Sequence, residues 1–105
     1  MGFQPAKEIT PEQLSARLQQ GERIRMIDVR EPNEWAAGHI AGSSHIPLGQ
    51  LLERQDELDS QHEIIMVCRS GGRSGLACEL LSEKGFDVVN MTGGLLAWAG
   101  ELTTD

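Results

Sequence analysis

Apolar and polar positions along the chain alternate between two rhythms. From Thr10 the rhythm is helical, with Leu14 and Leu18 on one face of "ITPEQLSARLQQGE". Thr10 suits the N-cap, Pro11 the first helical position, and Gln13 completes a capping box. Gly21 is placed to end that helix. "RIRMIDV" predicts a strand from Ile24 to about Val29, buried on both faces towards its end. "EPNEWAAGHIAG" predicts a short helix from Glu31 to about Ala37, closed by Gly38. "SSHIPL" predicts a short strand stopped by Pro47, and "LGQLLERQDELD" a short amphipathic helix. "EIIMV" is the most buried strand of the pattern. "RSGLACELLSEKGF" reads as a helix with Leu76, Ala77, Leu80 and Leu81 inward and Gly85 at its end. "DVVNM" is a last strand, and "GGLLAWAGE" a final helix opened by a glycine pair.

Alternating strands and helices imply right-handed crossovers. The expected fold class is α/β: a mainly parallel central sheet flanked by helices on both faces. At 105 residues, without repeats or linkers, the chain is expected to form a single domain, 1–105. In such sheets ligands bind beyond the carboxyl ends of the strands. Cys68 stands there, after the most apolar strand.

Charge narrows the function classes. The formal net charge of −7 argues against nucleic acid and against anionic membranes as partners. It also repels anionic substrates at long range, so an anion site has to be built from local groups. "MGFQPAKEIT" has no signal-like apolar core, and no segment approaches membrane-spanning length. Two cysteines make no disulfide framework, and a cytoplasmic location is expected. Those two cysteines and three scattered histidines have no metal-ligand spacing, so no metal and no cofactor is expected.

The chemistry concentrates in "VCRSGGRS". Gly71 and Gly72 allow backbone dihedrals that turn successive N–H groups to one concave side. Arg73 and Ser74 begin the next helix, which adds the positive end of its dipole. Arg69 and Arg73 add cationic charge. Each feature favours a thiolate at Cys68 and an anion beside it. An isolated cysteine is more simply a buried core residue; here the convergence of these features on one residue favours function.

With these residues in view, the chain resembles the rhodanese family of single-domain sulfurtransferases over nearly its whole length. The likeness rests on "MIDVREPNEWAAGHIAGSSHIPL", "VCRSGGRSGLACELL", "GFDVVNMTGG" and "GGLLAWAG", in order and spacing. The resemblance implies a rhodanese-like domain in which Cys68 carries a persulfide during turnover and Arg69, Ser70, Gly71, Gly72 and Arg73 surround it. Ser74, at the helix start, joins them as a candidate substrate-binding residue. The implied reaction moves a sulfane sulfur from a donor such as thiosulfate to a thiol or cyanide acceptor. Glutathione, thioredoxin-like dithiols and partner proteins are open as acceptors. A rival is the Cys-x5-Arg loop of phosphatases and arsenate reductases, but position 74 is serine and the arginine comes one place early, at Arg73. A further alternative is a non-catalytic module that docks partners or carries a persulfide.

Other residues carry weaker signals. Cys78 reads as a resolving cysteine or, more simply, as a small buried residue on the sheet. Asp28 and Arg30 match a family pair that helps order the active loop; equally, Asp28 caps a turn and Arg30 pairs with Glu34. His39 matches a family position of structural character, while His45 and His62 have no special setting. Trp35 and Trp98 read as core or pocket-wall residues. Glu31 and Glu34 read as a solvated helix start. Gly93 and Gly94 are implied to flank the site.

Overall fold

The computed structural model describes residues 7–105. The expectation that the N-terminus carries no leader falls partly on residues 1–6, outside the described residues. Five parallel strands form one sheet in the order β1-β5-β4-β2-β3: β1 (Lys7–Ile9), β2 (Arg25–Asp28), β3 (Ser44–His45), β4 (Ile64–Val67) and β5 (Val88–Met91). Helix α1 spans Pro11–Gln19, α2 spans Pro32–Ala37 and α3 spans Gly72–Ser82.

β4 is central and buried at all four positions, as its apolar run requires. Its side chains divide between two cores. Ile64 and Met66 face Ala77, Cys78 and Leu81 of α3, while Ile65 and Val67 face Leu14 of α1. Helices therefore cover both faces, and the chain leaves β4 at Cys68 with α3 beginning close by.

Local signals held where they were strongest. The Thr10 hydroxyl accepts from the Gln13 N–H at 3.1 Å, and the Gln13 side chain accepts from the Thr10 N–H at 2.9 Å. Corrections came where packing decides. β1 was not anticipated: of its three residues only Ile9 is buried, and its strand form comes from pairing with β5. The segment expected as one amphipathic helix is two 3-10 turns, Leu48–Gln50 and Gln55–Glu57. Only Leu51 is fully buried there, so packing is too slight to support a continuous helix. The final helix is a 3-10 turn, Gly94–Ala97, opened by left-handed Gly93. In α3, Leu76 is exposed and Cys78 takes the inward position beside Ala77 and Leu81. Trp98 packs at the margin of the α1-side core.

Candidate functional site

The site forms where the carboxyl ends of β4 and β5 meet the start of α3. Cys68 is fully buried at the end of β4. Gly71, the N-cap of α3, has φ +102, a left-handed conformation open to glycine and strained for other residues. That turn aims its N–H at the Cys68 Sγ, 3.0 Å away. Only Gly71 of the pair takes positive φ; Gly72 is the first helical residue. The Ser74 Oγ, also fully buried, lies 3.3 Å from the same sulfur.

Desolvation is the largest influence on the Cys68 thiol and pushes its pKa up. The Ser74 hydroxyl and the backbone N–H groups of Ser74, Gly71 and Ser70 act together against it, and the net direction is downward. Cys78 shows the contrast: burial without such donors pushes its thiol up to about 12. That suits a packing role. The loop is thus an array of donors around one sulfur, able to hold a thiolate or a sulfur-bound anion.

The two arginines are not equivalent. Arg69 and Ser70 are exposed on the rim. Arg73 is gripped by Glu34 of α2, Nη1 to Oε1 at 2.6 Å and Nη2 to Oε2 at 2.9 Å. Glu34 was read as a solvated helix start; it is instead the clamp on the loop arginine. It also accepts from the Glu31 N–H at 2.9 Å. The Arg73 guanidinium, and then that N–H, hold the Glu34 carboxyl down at about 2.

Asp28 and Arg30 are both buried and pair with each other; Arg30 does not pair with Glu34. Arg30 Nη2 donates to Asp28 Oδ2 at 2.8 Å and to the Gly38 carbonyl at 2.7 Å. The Arg30 N–H also closes a turn on Asp28 Oδ1 at 3.0 Å. Asp28 stands opposite Val67, the residue before Cys68, in the sheet register. The pair therefore fixes the far end of α2, and α2 in turn carries the Glu34 clamp.

Two further features support the loop. Asn90 on β5 donates from Nδ2 to the Gly71 carbonyl at 3.2 Å and accepts from the Ser74 hydroxyl at 2.5 Å. It was missed as a site residue; a polar residue inside an otherwise apolar strand was the available signal. The Leu95 and Leu96 N–H groups bond the carbonyls of Cys68 and Arg69, each at 3.0 Å. A Cβ at Gly94 would stand 2.3 Å from the Arg69 carbonyl oxygen, so only glycine permits this approach.

Trp35 of α2 gathers two imidazoles around it. Trp35 stacks on His39 at 3.4 Å and on His45 at 5.0 Å between ring centroids. His39 bonds the carbonyls of Trp35 and Asp105, in keeping with a structural role. His45 is more engaged than expected, its Nε2 lying 2.8 Å from the Arg30 carbonyl. His62 contacts Asp59 at the surface. Two open clefts, of about 470 and 270 Å³, surround Ile24–Met26 and Gly42, and no residue of the stretch from Cys68 to Ser74 lines either.

Comparison with known proteins agrees with this geometry. Residues 10–101 match the rhodanese-like domain. YtwF of Bacillus subtilis, provisionally named a sulfurtransferase, is 42% identical over 95 residues, covering 90% of this chain and 92% of that protein. A sulfurtransferase of Allochromatium vinosum is 38% identical, covering 88% and 87%. YrkF of Bacillus subtilis, provisionally named a sulfur carrier, is 37% identical, and this chain spans about half of it, 51%. A rhodanese-like domain protein from Staphylococcus aureus superposes with a TM-score of 0.90 at 31% identity, covering 94% of this chain and 98% of that one. The chain belongs to the family of rhodanese-like domains.

Proposed function

We propose that the chain transfers sulfane sulfur through a persulfide on Cys68. The observation that carries this reading is the donor array on one sulfur: the Gly71 N–H at 3.0 Å and the Ser74 hydroxyl at 3.3 Å, with the thiol drawn below its ordinary value. The Cys68 thiolate attacks the outer sulfur of a donor such as thiosulfate. A new S–S bond forms, the donor's S–S bond breaks, and sulfite leaves with its electron pair. The loop N–H groups then face the negative sulfur of the persulfide, which spreads charge without a metal or cofactor. A thiolate or cyanide attacks the outer sulfur, and Cys68 leaves as thiolate. This is covalent catalysis in two displacements.

In this reading Arg69 and Ser70 meet the incoming donor at the rim, while Gly71, Gly72 and Ser74 shape the cradle. Arg73 acts mainly as a loop anchor, because Glu34 compensates its charge. Asp28 and Arg30 support from beneath α2. The acceptor is a small thiol, cyanide or a thioredoxin-like protein, and a reducing cytoplasm suits a chemistry that needs a free thiol. Among the described residues no helix is long and apolar enough to cross a membrane. A phosphoryl group needs a wider ring of donors than one terminal sulfur, and this loop has its arginine one place early. The test is intact-protein mass spectrometry with a panel of donors and then acceptors. One sulfur atom should be gained on Cys68 and removed by a thiol or cyanide. A chain that loads but passes sulfur to none of the acceptors would be a carrier; one that never loads would be a docking module.

A further inference from the structure

Asn is disfavoured inside strands, and a buried amide is costly unless its polar atoms are paired. Asn90 is nonetheless one of the four buried residues of β5. Its side chain shares the face of Met66 and Cys68, directly beneath the loop. Its orientation is determined by chemistry. The Gly71 carbonyl can only accept, so the amide nitrogen must face it at 3.2 Å, and Oδ1 must face Ser74. The reverse placement would set two acceptors against each other.

The Ser74 hydroxyl has one proton and three acceptors in reach: Asn90 Oδ1 at 2.5 Å, the Gly71 carbonyl at 3.2 Å and the Cys68 sulfur at 3.3 Å. The shortest contact takes the proton. While Cys68 is a thiol, the hydroxyl therefore donates to Asn90 and offers its lone pair to the S–H. When the sulfur is negative, the same proton is needed by the sulfur, and turning it there strips Asn90 Oδ1 of its donor.

We propose that Asn90 is a positioning residue for the sulfur chemistry: it competes with Cys68 for the single Ser74 hydroxyl proton and so sets how readily the sulfur ionises. This rests on the reading of Cys68 as the reactive thiol. The balance is simple. On ionisation the S–H bond breaks and its proton leaves to solvent, while the Ser74 O–H bond stays intact and rotates. The charged groups in the surroundings are Arg69 on the loop, Arg73 on α3 with Glu34 of α2, and the Asp28–Arg30 pair after β2. Cys78 lies in the shared core. None of these hydrogen-bonds Asn90.

The test is the pH profile of Cys68 alkylation by iodoacetamide, read by peptide mass spectrometry. Asn90→Val fits a strand, excludes water and removes the competing acceptor. Its midpoint should fall by about half to one pH unit, the size of one hydrogen bond's net effect. Asn90→Asp holds the hydroxyl more firmly and adds negative charge, so its midpoint should rise. Ser74→Ala should raise the midpoint, and in that background Asn90→Val should have no further effect. A purely structural Asn90 predicts a rise for both Val and Asp, because both loosen Gly71. That result, or a Val effect that survives Ser74→Ala, would overturn the proposal. Should Asn90→Val not fold, Asn90→Ala takes its place with the same expected fall. Sulfur loading of the wild type is scored separately; its failure counts against the transfer reaction and leaves these midpoints to be judged alone.

Discussion

Replacing Glu34 with Gln isolates what the Arg73 clamp contributes. Glutamine keeps the oxygen that accepts from the Glu31 N–H, so the first turn of α2 retains its cap. What is lost is the charge and the second prong of a contact of 2.6 and 2.9 Å, because the amide nitrogen that replaces Oε2 cannot accept from Arg73 Nη2. A carboxyl drawn from 4.5 to about 2, first by Arg73, then by the Glu31 N–H and by Arg30, corresponds to about 3 kcal/mol in all, at about 1.4 kcal/mol per pH unit, of which the clamp is the largest part. The two side chains are 25% and 36% exposed, and screening by solvent reduces this to about 1–2 kcal/mol. Urea denaturation at neutral pH should show that loss. The folded-state pKa lies below the unfolded one, so the clamp's contribution is fully present above about 4.5 and lost as pH falls towards about 2. The stability difference between wild type and Glu34→Gln should therefore be flat above pH ~5 and shrink in acid. A difference that persists unchanged to the lower limit, or a neutral-pH loss under about 0.5 kcal/mol, would refute the reasoning. Freed of its carboxylate, Arg73 should also lower the apparent KM for thiosulfate.

Cys68→Ser should abolish sulfur loading while Cys78→Ala keeps most turnover, since burial holds the Cys78 thiol near 12; loss of activity in folded Cys78→Ala would revive a dithiol mechanism. Arg69→Gln should raise KM for thiosulfate more than for an uncharged polysulfide, because Arg69 lies on the exposed rim; equal effects would contradict a charge role. Asp28→Asn should destabilise by about 3–5 kcal/mol in urea titration by leaving the buried Arg30 charge uncompensated. Gly94→Ala should impair sulfur loading more than it lowers overall stability, because its Cβ would collide with the Arg69 carbonyl; unaltered loading kinetics would contradict this.

Features encoded within a few consecutive residues were legible in the sequence. The Thr10–Gln13 capping box depends on local chain geometry alone, and it formed as expected. The Cys68–Ser74 cradle is likewise one continuous stretch, in which glycine freedom and a helix start act on a sulfur few bonds away. The parallel direction of the strands followed from alternating rhythms, because a helical crossover returns the chain to the same end of the sheet before the next strand begins; the strand order β1-β5-β4-β2-β3 did not. Other features depended on distant partners. Glu34 and Arg73 are 39 positions apart, and nothing near Glu34 distinguishes a clamp from a solvated helix start. Asn90 is 16 positions from Ser74, and its meaning depends on β5 passing beneath the loop. β1 has too little buried surface to declare itself and is a strand only because β5 offers an edge. The helical period of Leu48–Asp59 was real, but too few of its apolar residues reach the core for a regular helix to outlast two 3-10 turns. Local chain geometry thus determined where the donor array around Cys68 sits, and packing between segments distant in sequence decided which residues restrain it.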